Sequence, residues 1–161
     1  MRPEPIILLV EDCPDDLGLL RRFFSKAGLR NPLQSVPDGV EAMAYLLGRA
    51  QYADRKTYPE PNILLIDINM PRINGLELMS WLRTQPDFEH LVVIALSGSA
   101  EQEEIDRAYQ MGANSYLLKP SGGAELEKVI SAFYQYWVCS NHLPRIGAGV
   151  QAGSAASTAR Q

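Results

Sequence analysis

Asn62-Ile63-Leu64-Leu65-Ile66-Asp67-Ile68-Asn69-Met70-Pro71-Arg72-Ile73-Asn74-Gly75 is the stretch whose reading decides the fold. A short run of branched apolar residues between Pro61 and Pro71 reads as a buried strand, so the Asp67 carboxylate emerges at its C-terminal tip. In parallel α/β sheets, sites form at that tip. Asp67 could instead cap the helix that begins near Gly75, but it lies too far upstream to do so.

Working outward, the same grammar recurs. Ile6-Ile7-Leu8-Leu9-Val10 is a continuous apolar run that breaks into Glu11-Asp12-Cys13-Pro14-Asp15-Asp16, a strand feeding a helix with proline at its start. Leu17, Leu20, Phe24 and Ala27 follow at helical spacing until Gly28. Leu33 to Val36 is a short, half-polar strand. Pro37-Asp38-Gly39 then turns into a helix expected to carry Val40, Met43, Ala44 and Leu47 on its buried face. Gly48 to Pro61 is polar and reads as a long exposed loop.

Beyond the Asp67 strand, Leu78, Met79 and Leu82 mark a helix and Leu91 to Leu96 a fourth strand. Ile105, Ala108 and Tyr109 mark a helix that ends at Gly112, and its acidic first turn suits the helix dipole. Ser115 to Leu118 is a fifth strand, and Leu126, Val129, Ile130, Phe133 and Trp137 form the stripe of a final helix. Five alternations of strand and helix, with strands apolar on both faces, specify a parallel sheet covered on both sides. Right-handed crossovers reduce the options to a flavodoxin-like doubly wound α/β fold, a five-stranded parallel sheet of order 2-1-3-4-5.

The bulk numbers are those of one ordinary domain: 161 residues, 46% hydrophobic and 21% charged. A net charge of -4 with scattered basic residues argues against gripping DNA. Cys13 and Cys139 lack the spacing of a zinc site or a disulfide framework, so a cytoplasmic location is expected. The five-residue apolar stretch near the N-terminus is too short for a signal sequence or a membrane span.

In a 2-1-3-4-5 sheet the first and third strands are neighbours, so Glu11, Asp12 and Asp67 should converge. Two carboxylates about 4 Å apart repel by roughly 4 kcal/mol at an effective dielectric near 20. Three need a cation, and an all-oxygen donor set with room for water suits Mg²⁺. Asp67 is then the natural nucleophile toward a phosphoryl donor, forming an acyl phosphate. Ser97 and Lys119, at two further strand ends, can donate to phosphoryl oxygens. Taken singly, Ser97 reads as turn chemistry, Lys119 as an exposed charge and Asp12 as a helix cap. Together they fall at one end of four strands.

Val10-Glu11-Asp12, Asp67-Ile68-Asn69-Met70-Pro71 with Gly75, Ser97-Gly98 and Tyr116-Leu117-Leu118-Lys119-Pro120 resemble the motifs of bacterial response regulator receiver domains, from roughly Ile6 to Trp137. The resemblance implies that Asp67 accepts a phosphoryl group, and that Mg²⁺ is held by Asp12, Asp67 and the Asn69 carbonyl, with Glu11 acting through water. It also casts Ser97 as the switch hydroxyl, Tyr116 as its aromatic partner and Lys119 as the phosphate-pairing cation. The family often has threonine where Ser97 stands, and serine keeps the donor.

Such a protein is a signalling phosphoacceptor that catalyses only its own phosphorylation and dephosphorylation. Its expected layout is an N-terminal extension at 1–5, a receiver domain at 6–140 and a tail at 141–161, disordered from about 146. With no effector domain expected, output passes through a partner at the face built by the fourth helix, fifth strand and last helix. The aromatic ending Phe133-Tyr134-Gln135-Tyr136-Trp137 points to a homodimer contact. Together with the long loop and the Asn114-Ser115-Tyr116 segment, that ending also resembles the phytochrome-associated regulators. That narrower likeness implies a sensor histidine kinase of the phytochrome type as donor, or a phosphotransfer protein.

Three rival readings remain. A haloacid dehalogenase-type phosphatase would place a second acid where Asn69 stands. A flavodoxin would want a Gly/Ser/Thr-rich phosphate loop after the first strand, where Glu11-Asp12 stands. A pseudo-receiver would bind partners without taking phosphate.

Overall fold

A computed structural model describes residues 2–70 and 72–145. Five parallel strands lie in the order β2-β1-β3-β4-β5: β1 Ile7–Val10, β2 Gln34–Val36, β3 Ile63–Asp67, β4 Val92–Ser97 and β5 Ser115–Leu118. This is the expected doubly wound sheet. The helices between them are α1 Pro14–Ala27, α2 Gly39–Leu47, α3 Gly75–Thr84, α4 Gln102–Gln110 and α5 Gly123–Phe133. Pro71 and the tail from 146, where disorder was expected, lie outside the described residues.

Alternation along the strands builds two cores. Ile7, Leu9, Ile63, Leu65, Ile94 and Leu96 face α1 and α5, against Leu20, Phe24, Ile130 and Phe133. Leu8, Val10, Leu64, Ile66, Val93 and Ala95 point the other way, toward α2, α3 and α4. Every residue of β1, β3 and β4 is buried, and each large aliphatic side chain contributes roughly 1.5–3 kcal/mol on leaving water. The helix ends obey local rules. Asp38 and Asn74 accept the backbone N–H groups of Glu41 and Glu77 as N-caps, and Gly28 closes α1 at φ 119°, a left-handed geometry that favours glycine.

The structure corrects several expectations. α2 buries Ala42, Tyr45 and Leu46, whereas Val40 and Leu47 are exposed and Met43 and Ala44 only half-buried. Apart from Glu41 the helix is apolar on every side, so apolarity alone could not choose its buried face. The supposed exposed loop after it folds into a 3₁₀ turn, Ala50–Ala53, that buries Tyr52. Tyr52 stacks with Tyr45 and Tyr58, while Arg55 donates to the carbonyls of Tyr45, Leu46 and Tyr58. β5 is only half-buried, and Tyr109 of α4 is exposed.

At the C-terminal end, α5 widens into a π-helical turn, Tyr134–Ser140. Its wider pitch buries Val138, five residues after Phe133, and leaves Trp137 half-exposed. Arg2 donates to the carbonyls of Val138, Cys139 and Asn141, binding the first residues onto that turn. Among the described residues, no helix is long and apolar enough to cross a membrane.

The tyrosine cluster carries a pH prediction. Tyr45, through burial, and Tyr52, through burial and its hydrogen bond to Glu41, are each pushed up to about 12. Between the ordinary tyrosine value of 10 and 12, the unfolded chain loses protons that the folded chain keeps. The contribution of the two tyrosines is therefore full below about pH 10 and is lost as pH rises toward 12. Urea midpoints measured across that window should drop, and Tyr52→Phe should make the drop shallower.

Candidate functional site

Sheet register assembles the site. Val10 pairs with Ile66, Asp67 with Leu96, and Ser97 with Leu118, so the C-terminal tips of four strands end level. Backbone bonds continue the ladder beyond them: Glu11 N–H to the Val36 carbonyl, Ile68 N–H to Leu96 and Lys119 N–H to Ser97. The turn after β3 folds back, with the Asn69 N–H donating to Asp67 Oδ1 at 3.0 Å. Gly75 starts α3 against this turn, its N–H on the Ile68 carbonyl. A Cβ at Gly75 would lie 2.7 Å from the Asp67 carbonyl oxygen.

Glu11, Asp12 and Asp67 each offer an oxygen, all within 4.8 Å of one another. Glu11 and Asp67 are buried, whereas Asp12 is exposed. Lys119 Nζ lies among carboxylates, 2.6 Å from Asp16, 2.8 Å from Glu11 and 3.3 Å from Asp67. Burial, above all, pushes Glu11 up to about 7; the Lys119 hydrogen bond opposes this and the Asp67 charge adds to it. Burial alone would depress the Lys119 ammonium, but hydrogen bonds to Asp16 and Glu11 and the charge of Asp67 outweigh it. Lys119 is therefore held above the usual lysine range. One ammonium thus answers several carboxylates, and the lone pairs left on this all-oxygen cluster suit a hard divalent cation by chemistry.

Ser97 and Tyr116 sit in a neighbouring network. Ser97 is fully buried, its hydroxyl 3.3 Å from Glu104 Oε2, and its Oγ accepts the Ser99 N–H at 3.2 Å. The Tyr116 hydroxyl donates to the Ser99 carbonyl at 2.6 Å and lies 3.2 Å from the same Glu104 oxygen. Among the described residues, Ser97 makes no hydrogen bond to the three clustered carboxylates. An open groove of about 730 Å³ leads to the site past Asp12, Asn69, Met70, Ser99 and Glu101.

Sequence reading missed three participants. Asp16 lies in the first turn of α1, directly after the Glu11-Asp12 strand end, and that position at the same end of the sheet was the signal available for its contact with Lys119. Glu104 was read only as part of an acidic first turn. Arg72, at φ 63°, pairs with the buried Asp38 and ties the turn after Asp67 to the start of α2, and no pattern in the sequence announces that.

Residues 7–131 match the family model for the response regulator receiver domain. Response regulator Rcp1 of Synechocystis sp. is 29% identical over 142 residues, 88% of this chain and 95% of Rcp1. The solved Mn²⁺-bound form of Rcp1 superposes with a TM-score of 0.79, covering 89% of this chain and 100% of that one. Response regulator RPA3017, solved for its part in red light signaling of R. palustris, is 38% identical with a TM-score of 0.82, covering 88% and 99% of the two chains. The phosphorylated cyanobacterial phytochrome response regulator RcpA is 28% identical with a TM-score of 0.79, covering 89% and 100%.

Proposed function

This chain belongs to the response regulator receiver domain family, and from that membership we propose that it accepts a phosphoryl group on Asp67 and passes the signal on by changing shape. One observation carries the reading: a buried strand-end aspartate shares a carboxylate cluster with Glu11 and Asp12 while Lys119 reaches it at 3.3 Å. The chemistry is a transfer. An Asp67 oxygen attacks phosphorus, an acyl P–O bond forms, and the donor's bond to phosphorus breaks with its electron pair leaving on the donor. Lys119, 3.3 Å from Asp67, would follow the new phosphoryl oxygens as a point charge, and Ser97, whose hydroxyl rests on Glu104, would turn to offer them a proton.

Glu11, Asp12, Asp67 and the Asn69 carbonyl are the groups that would hold Mg²⁺, with Glu11 acting through water. When bound, the ion neutralises charge on the transferring group and orients it. The arriving phosphate adds about -1.5 to -2 charges, which Ser97 and Lys119 should answer by moving inward. Tyr116 would follow, carrying the change to the face of α4, β5 and α5. Moving such a switch from mostly off to mostly on takes about 5.5 kcal/mol, within reach of several charge-assisted hydrogen bonds.

The donor we propose is a sensor histidine kinase of the phytochrome class in the cytoplasm, supported by the likeness to RcpA, a phytochrome response regulator, and to RPA3017 of red light signaling. The exposed Tyr136 and half-exposed Trp137 on the last turn support a homodimer, and the net charge of -4 does not favour DNA. Intact-mass spectrometry tests the core of the reading. With acetyl phosphate and Mg²⁺ the chain should gain one phosphoryl group, and with excess EDTA none. Absence of the gain in both conditions would refute it.

A further inference from the structure

Glu104 stands in the first turn of α4, half-buried, with one carboxylate oxygen shared by Ser97 and Tyr116. Proton counting orders these contacts. Tyr116 has one hydroxyl proton, and its 2.6 Å contact with the Ser99 carbonyl is the shorter, so that proton goes there. The Ser97 oxygen already accepts the Ser99 N–H, and its own proton is free to point at Glu104. Glu104 is therefore held by Ser97, while Tyr116 presents a lone pair to the carboxylate.

We propose that Glu104 is a positioning residue of the switch: in the resting chain its carboxylate takes the Ser97 hydroxyl proton and turns it away from the phosphoryl site at Asp67. The proposal rests on the phosphoacceptor reading of Asp67. When Ser97 turns toward a phosphoryl oxygen, Glu104 loses its donor, and the Tyr116 proton is the nearest replacement at 3.2 Å. Tyr116 then releases the Ser99 carbonyl, which frees the segment between β4 and α4. One carboxylate thus exchanges a serine partner for a tyrosine partner, linking the chemistry to the helix that carries it. Burial, foremost, pushes the Tyr116 hydroxyl above the usual tyrosine range; the nearby Ser97 hydroxyl opposes this, and the charge and hydrogen bond of Glu104 add to it, in keeping with a carboxylate facing the ring hydroxyl.

Removing the latch should favour the switched arrangement. Glu104→Leu is expected to take phosphate from acetyl phosphate roughly ten- to a hundredfold faster than the parent, the scale set by losing one hydrogen bond to a charged acceptor. Glu104→Gln keeps an acceptor without the charge and should fall between the two. The deciding measurement is a double-mutant cycle with Ser97→Ala, read by intact mass over time. In the Ser97→Ala background both Glu104 variants should leave the rate unchanged, because the proton they release is gone. An equal acceleration in both backgrounds would show Glu104 acting through α4 alone and overturn the latch. So would a Glu104→Leu or Glu104→Gln rate equal to the parent's. If Glu104→Leu does not fold, the Gln cycle decides. A parent that takes no phosphate removes the phosphoacceptor reading, and the latch with it.

Discussion

Asp67→Ala should gain no phosphoryl mass under conditions that convert the parent, the largest functional effect expected from any single substitution here. The oxygen proposed to attack phosphorus is deleted, and an alanine methyl cannot replace it. The neighbouring acids do not substitute for it. Glu11 is buried with one oxygen held by Lys119 and the other accepting the Cys13 N–H, and Asp12 is exposed at the rim. Asp67→Asn separates charge from nucleophile: its side-chain oxygen can still accept the Asn69 N–H, yet it should take no phosphate either. Equal mass gain in Asp67→Ala and the parent would place the acceptor elsewhere.

Gly75→Ala should damage both stability and phosphoryl uptake. The added methyl would meet the Asp67 carbonyl oxygen at 2.7 Å, the Ile68 Cα at 2.8 Å and the Ile66 Cγ2 at 2.9 Å. Two of these are backbone atoms of the strand end, so relief requires α3 to back away or the tip of β3 to move. Overpacking of this kind costs about 1–3 kcal/mol, and the upper end is expected because no flexible side chain can yield. The loss should appear in the urea midpoint. Phosphoryl uptake should fall as well, because the carbonyl that must shift belongs to Asp67. A variant with parental stability and uptake would mean that α3 has slack that the packing denies.

Why was so much of this legible in the sequence? β1, β3 and β4 are buried on both faces, and unbroken apolar runs have few alternatives in a chain of this size. Once strand order follows from crossover handedness, the tips of β1 and β3 must be neighbours, which brings Glu11, Asp12 and Asp67 together before any side chain is seen. The failures share one cause: they concern choices that a periodic pattern leaves undetermined. α2 offers apolar groups in every direction, so only the neighbouring Tyr52 and Arg55 contacts settle its orientation. The last helix changes pitch at Tyr134, and a stripe drawn at 3.6 residues per turn then names Trp137 instead of Val138. Glu104 and Arg72 act through partners 7 and 34 residues away, distances at which a single sequence gives no signal.

The grip of Arg2 on the last turn joins residues 136 to 139 positions apart. Contacts that close so large a loop form late, after the sheet has brought the two ends near each other. Interactions absent from the folding transition state leave the folding rate almost untouched and act on the reverse rate. On that footing the arginine would act as a kinetic clasp, so that Arg2→Ala is expected to open the finished domain faster while leaving its assembly almost unchanged.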